Sequence, residues 1–296
     1  MALINIIFSR FSAFYTPLIA TISAGFLEQE GLEPSFTNAS PGKSARQALD
    51  DGSAHVAQSA VSASWGTLEK DERSNIVHFA QINERDGFLI AAREPDPDFT
   101  WDKLSGSKVM ASGSGQPFAM FRYALDKMGV DCEQVEIVDA GGADAIDAAF
   151  RAGQGDYVVQ QGPAPQQLEK DGLGYVVANV GEVIGPVAFS SLCALRDWLQ
   201  SDMAKAFMRA YRKARQYVNE TPAGEIAAAQ AHLFEGIDRR VLTETIGFYQ
   251  RLGCWNPEVA IRRDIYEVSL DVFLHAGRIT RRHPYDEVVV APLGEA

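Results

Sequence analysis

Ser112-Gly113-Ser114-Gly115-Gln116-Pro117 sets hydroxyl and amide side chains among glycines, just ahead of Phe118, Phe121, Leu125 and Met128 at helical spacing. With Pro117 in the first turn, free backbone N–H groups and the positive end of the helix dipole fall beside Ser112, Ser114 and Gln116. That is a natural place for an anion or a carbonyl oxygen. An ordinary serine-capped helix with no ligand uses the same residues. A second group follows the first apolar run: Arg10 and Phe11, then Phe14 and Tyr15. Aromatic rings at this position could stack on a planar solute. Phe14 lies on the apolar stripe of the next helix and reads as core, whereas Phe11 and Tyr15 lie off it. Ser59 and Ser62 offer hydroxyls after a third run, and Gln161-Gly162-Pro163 offers neutral amides after a later one.

Other chemistries find no support. Cys132, Cys193 and Cys254 are odd in number and widely spaced, with no CxxC and no histidine at metal-ligand spacing, so they read as free thiols. His55 sits on a buried run with no orienting carboxylate in that strand, which suits a core histidine better than a general base. The other four histidines, His78, His232, His275 and His283, are isolated, and Gly113-Ser114-Gly115 lacks the lysine of a phosphate loop. Neither a metal nor another cofactor is expected.

The elements that must position these groups alternate. Leu3 to Phe8 is a buried strand, and Phe14, Leu18, Ile22 and Phe26 mark one face of a helix that Gly31 closes. Glu33 to Phe36 is extended, Pro41 to Leu49 is a turn into a short helix that Asp51-Gly52 ends, and Ala54 to Ala57 is another strand. Such alternation implies right-handed crossovers and a mostly parallel sheet, with ligands beyond the carboxyl ends of its strands. The loops at Arg10 to Tyr15 and Gln58 to Ser62 are therefore expected to face one crevice. A strand at Gly87 to Ala92 leads to Glu94-Pro95-Asp96-Pro97-Asp98, a double break in regular structure. The pattern then repeats: strands at 108–111, 135–138 and 157–160, with helices from Pro117 and over 143–151. Val187 to Ala194 reads as a strand returning to the first unit, and Met203, Phe207, Tyr211, Ala214 and Val218 form a helical stripe.

A chain of 296 residues exceeds the usual single core, which favours two lobes: residues 1–90 with 190–296, and residues 91–189. Composition is ordinary for a globular protein, with 46% hydrophobic and 22% charged residues. A net charge of −12 opposes nucleic-acid and anionic-membrane partners. Arg281-Arg282-His283 is a solvated turn before Pro284.

In order along the chain, several segments resemble type II periplasmic binding proteins of the nitrate/sulfonate/taurine and thiamine-pyrimidine branch. They are Phe14-Tyr15, Gly25 to Glu33, Trp101 to Val109, Phe150 to Tyr157, Phe248 to Trp255 and Pro284-Tyr285-Asp286. The resemblance implies two α/β lobes with two crossover strands and a helical C-terminal segment, the Venus-flytrap form whose hinge lets it close on a ligand. It implies the solute-binding component of an ABC importer, non-catalytic and monomeric. Its partners are a sulfonate- or thiamine-precursor-like ligand and separate permease and ATPase chains. Arg10, Phe11, Tyr15, Ser59, Ser62, Ser112, Ser114, Gln116 and Gln161 are the expected ligand contacts. Location is periplasmic if a signal peptide has been removed, otherwise cytoplasmic. The second reading is a cytoplasmic enzyme or sensor on the same fold, related to decarboxylases, desulfinases or pyrimidine synthases. No arginine is expected in the cleft loops of the second lobe.

Overall fold

The computed structural model describes residues 1–294. The first lobe begins with β1 (Ala2–Phe8), α1 (Thr16–Ser23), α2 (Phe26–Gln29), β2 (Leu32–Asn38), α3 (Ala45–Asp50), β3 (Val56–Ser59), α4 (Ser62–Leu68) and β4 (Ile76–Asn83). The helix expected from Phe14 is broken at Gly25, whose positive φ of 70° kinks the chain between α1 and α2. At α3, Ser44 accepts from Gln47 N while the Gln47 side chain accepts from Ser44 N, a reciprocal cap that starts a six-residue helix.

The chain then crosses into the second lobe. There follow β5 (Phe88–Ala92), β6 (Lys108–Met110), α5 (Gly115–Lys127), β7 (Glu136–Val138), α6 (Ala143–Arg151), β8 (Tyr157–Gln161), α7 (Ala164–Lys170), β9 (Tyr175–Asn179) and α8 (Val180–Ile184). It returns through β10 (Ser190–Leu195) and ends in α9 (Asp202–Glu220), α10 (Ala223–Gln230), α11 (Arg239–Leu252), α12 (Arg263–His275) and α13 (Tyr285–Val288). The two-lobed α/β architecture is thus as the sequence implies.

Each lobe holds one five-stranded sheet, in the orders β2-β1-β3-β10-β4 and β7-β6-β8-β5-β9. Four strands of each sheet point the same way, and the crossover strand runs against them: β10 lies antiparallel between β3 and β4, and β5 antiparallel between β8 and β9. The sheets are mostly parallel, as expected, with one reversed strand each, because a strand that has just crossed between lobes arrives from the opposite end. The division expected at residue 90 falls inside β5, all five of whose residues pair in the second sheet.

The two crossings hold each other. Val187 N donates to Glu84 O at 2.8 Å and Phe189 N to Asn83 O at 3.1 Å. Gly181 packs so closely on the first crossing that a Cβ there would stand 2.2 Å from Asp86 O. The buried Arg215 of α9 donates to the carbonyls of Ile82, Asn256 and Glu258, tying the C-terminal helices to the end of β4.

Candidate functional site

The carboxyl ends of the parallel strands of both sheets point toward the gap between the lobes. A cleft of about 860 Å³ opens there. Its first-lobe wall comes from the loop after β1 (Ser9 to Ser12), the end of β2 (Asn38, Ala39) and the segment between α10 and α11 (Leu233 to Glu235, Ile237). Its second-lobe wall comes from the first turn of α6 and the end of β8 through Ala164.

The loop after β1 is held from below. Gln58 Oε1 accepts from Ser9 N at 3.0 Å and Arg10 N at 3.3 Å, and Gln58 Nε2 donates to Ser190 Oγ at 3.2 Å. Ser12 Oγ reaches across the cleft base to Gly162 O at 2.6 Å. Tyr249 OH accepts from Gly162 N at 2.8 Å and donates to Gly87 O at 2.9 Å, bracing both lobes at the first crossing. A Cβ on Gly162 would stand 2.6 Å from Thr245 Cγ2, so only glycine permits this approach.

Arg10 and Phe11 line the cleft from the first lobe and Gln161 from the second. Tyr15 is buried behind them, its hydroxyl 3.2 Å from Gln161 Nε2. Phe11 belongs to an aromatic wall, stacked on Phe36 at 5.5 Å and tilted against Phe234 at 5.1 Å. The Arg10 guanidinium lies 5.7 Å over the Phe88 ring. Burial draws its pKa below the usual arginine value, with Tyr15, Tyr249 and Asp144 opposing that drift. Burial pushes the Tyr15 and Tyr249 hydroxyls up, so both act as neutral hydrogen-bonding groups at ordinary pH.

The remaining expected contacts lie elsewhere. Ser62 Oγ donates to Gln116 Oε1 at 2.7 Å, and Gln116 Nε2 donates to Phe189 O at 2.6 Å. That pair ties the start of α4 to the start of α5. Ser112 Oγ donates to Ser114 O at 3.1 Å in an exposed turn. Ser59 borders a void of about 30 Å³ shared with His78 and Cys193. The helix start that faces the cleft is that of α6, not α5: its N-cap, Gly142, supplies no side-chain hydrogen bond. Arg151 also lines the cleft from the second lobe, where no arginine was expected. Its side chain reaches in from the last turn of α6 and is held by Asp147 at 2.6 Å and Asp171 at 2.8 Å. An uncapped Gly141-Gly142 ahead of Asp144 is the sequence signal that marks the α6 start.

The other titratable groups are poor catalysts. Cys193 is buried and its thiol is pushed up to about 12, and burial also raises Cys254 and Cys132. His78 is buried between Ser64 Oγ at 3.1 Å and Ser191 Oγ at 2.8 Å, and burial lowers its pKa to about 3. His55 Nδ1 accepts from Asn5 N at 2.9 Å, a structural contact behind β1. Among the described residues no helix is long and apolar enough to cross a membrane, and no cluster of His, Cys, Asp or Glu could hold a metal ion.

Comparison with known proteins gives a consistent set. The model of the family described as NMT1/THI5 like matches residues 13–225. The “Putative binding protein YtlA” of Bacillus subtilis (strain 168) is 27% identical over 288 residues, covering 96% of this chain and 86% of YtlA. Among solved structures, the alkanesulfonate-binding protein SsuA of Xanthomonas axonopodis pv. citri, bound to MOPS, superposes with a TM-score of 0.76. It is 17% identical over 98% of this chain and 99% of SsuA. The ligand-binding component of an ABC-type import system from Staphylococcus aureus also gives 0.76, at 16% identity over 98% of this chain and 97% of its own. A Candida albicans protein with the generic periplasmic binding protein fold gives 0.70 at 14% identity, over 98% of this chain and 96% of that one. This chain has that fold.

Proposed function

The chain belongs to the NMT1/THI5-like family, and from that membership we propose that it is the solute-binding component of an ABC-type import system. The observation that carries this reading is the cleft of about 860 Å³, walled by both lobes and closed at its base by two paired crossings. A cavity of this size buries a small organic molecule. In this reading the first lobe comprises residues 1–87 with 190–296 and the second the residues between. The ligand is a small sulfonate or a pyrimidine-like thiamine precursor, met by Arg10, Phe11 and Gln161, with Tyr15 supporting Gln161. Ser62 and Gln116 tie the neighbouring seam between the lobes, while Ser59, Ser112 and Ser114 lie outside the cleft. The protein works as a monomer outside the cytoplasmic membrane and hands its solute to separate permease and ATPase chains.

Support comes from what similar proteins are said to do, namely binding a ligand for import. The test is to denature the purified protein and identify released small molecules by mass spectrometry. Those molecules are then titrated back by calorimetry. A stoichiometric solute that rebinds unchanged supports the reading. A molecule that is converted on rebinding makes the chain an enzyme.

A further inference from the structure

Two acids lie in the first crossing between the lobes, and only one of them is paired. Glu84 is held by Arg262 at 3.0 Å. Asp86 is fully buried, its Oδ1 accepts from Phe88 N at 2.6 Å, and its Oδ2 has no partner. A charge left unpaired in such a place is costly, whereas the protonated acid is not.

The walls around Asp86 come from both lobes. Gly181, at the start of α8 in the second lobe, packs directly on its backbone. On the first-lobe side the Phe14 ring fills the space beside Gly87, where a Cβ would stand 2.4 Å from the ring. The titratable groups that sense the charge of Asp86 are the Tyr15 hydroxyl ahead of α1 and the Cys254 thiol after α11, and burial keeps both neutral near pH 7. Arg85 is turned to Gly181 O at 3.4 Å, and Glu182 of α8 is exposed. Rotating one lobe away from the other parts these walls and admits water to the carboxyl. The closed form, in which Ser12 Oγ lies 2.6 Å from Gly162 O across the gap, therefore holds the Asp86 proton more tightly than an open one.

We propose that Asp86 is a proton-operated catch in the hinge: its protonated form favours closed lobes and its ionised form favours open ones. This goes beyond solute capture, because the bias acts on the lobes whatever lies between them. Burial raises the carboxyl's pKa to about 7, opposed only by the hydrogen bond from Phe88 N. A pKa raised in the closed form gives a closing bias that is fully present below the ordinary carboxylate pKa and is lost as pH rises from there through about 7.

The test is small-angle X-ray scattering on the ligand-stripped chain from pH 5.5 to 8.5, at low and high salt. The radius of gyration should rise with pH by the same amount at both salts, and Asp86→Asn should hold the smaller radius throughout. The rival cause is a pair on the surface between the lobes, Lys170–Asp238 at 2.6 Å or His275–Asp126 at 3.3 Å, and salt screens such pairs. His275→Gln should therefore behave like the wild type. A radius constant across the range, a rise that Asp86→Asn retains, or one that high salt or His275→Gln removes overturns the proposal. Infrared spectra of the wild type give a reading that needs no variant: a carboxylic acid band should fade over the pH span in which the radius grows, and its absence at pH 5.5 also overturns the proposal. Solute capture is decided separately by the released-ligand experiment.

Discussion

At one end of the gap between the lobes, the loops after β1 and β8 leave open space around a guanidinium without an ionic partner. At the other, the loops after β3 and β6 are already joined through Ser62, Gln116 and Phe189 O. Both ends sit at the carboxyl termini of parallel strands, where this architecture places ligands. What separates them is how far their polar groups are already satisfied. A hydroxyl or amide that has its partners within the fold contributes little to a solute, whereas a buried charge without a counter-ion gains strongly from one. Strand-end position thus locates the crevice, and hydrogen-bond occupancy is what distinguishes its two ends.

Asp86, in the first crossing between the lobes, should give the largest effect. Its carboxyl is fully buried in the first crossing, with Oδ1 accepting from Phe88 N at 2.6 Å and Oδ2 without a partner, and burial pushes its pKa up to about 7. The folded state therefore keeps this proton to higher pH than the unfolded chain, so stability falls as pH rises from the ordinary carboxylate range through 7. Asp86→Asn should raise stability at pH 8 by up to about 4 kcal/mol, a gain that shrinks toward pH 4. Urea melts at the two pH values check this. Equal gains at both would mean that the buried charge is not the cause.

Arg10→Gln comes next and acts on one end only. Loss of hydrogen bonds to a charged group, about 1.5–3 kcal/mol, should weaken an anionic solute roughly ten- to a hundredfold. The ligand-free melting temperature should hold or rise. Gln116→Ala is the mirror experiment. It removes two hydrogen bonds from the joined end, so stability should drop by about 2 kcal/mol while the solute's Kd stays within about twofold. If Gln116→Ala abolishes binding and Arg10→Gln does not, the two ends have been assigned the wrong way round. The smallest effect on binding is expected for Ser12→Ala, which leaves Gly162 O without its donor and Phe14 N without its acceptor at a cost of about 1–2 kcal/mol and loosens the cleft base. A faster ligand off-rate in stopped-flow fluorescence is its signature.

Much of this was legible in the sequence. The β1 run, the α6 span, the two crossings and the α9 stripe follow from periodicity. Arg10, Phe11 and Gln161 follow from the strand-end rule. The Ser62–Gln116 tie was not legible, since it joins residues 54 apart on different lobes and each reads alone as a free polar group. Strand β4 escaped notice because His78, Gln81 and Asn83 interrupt its apolar run. All three are buried and hydrogen-bonded in the structure, a compensation visible only in three dimensions. Arg151 escaped as well, since its place in the cleft depends on how far a last-turn side chain reaches.

The most direct test is a thermal-shift screen of ligand-stripped protein against alkylsulfonates, nitrate, pyrimidines, thiamine precursors, flavins and aromatic carboxylates. A solute at a hundred times its Kd stabilises by about 2.7 kcal/mol, a shift of several degrees. The account predicts such a shift for one solute class, unchanged after incubation and lost in Gln161→Ala. No shift with any class, or a shift that Gln161→Ala leaves intact, would contradict it.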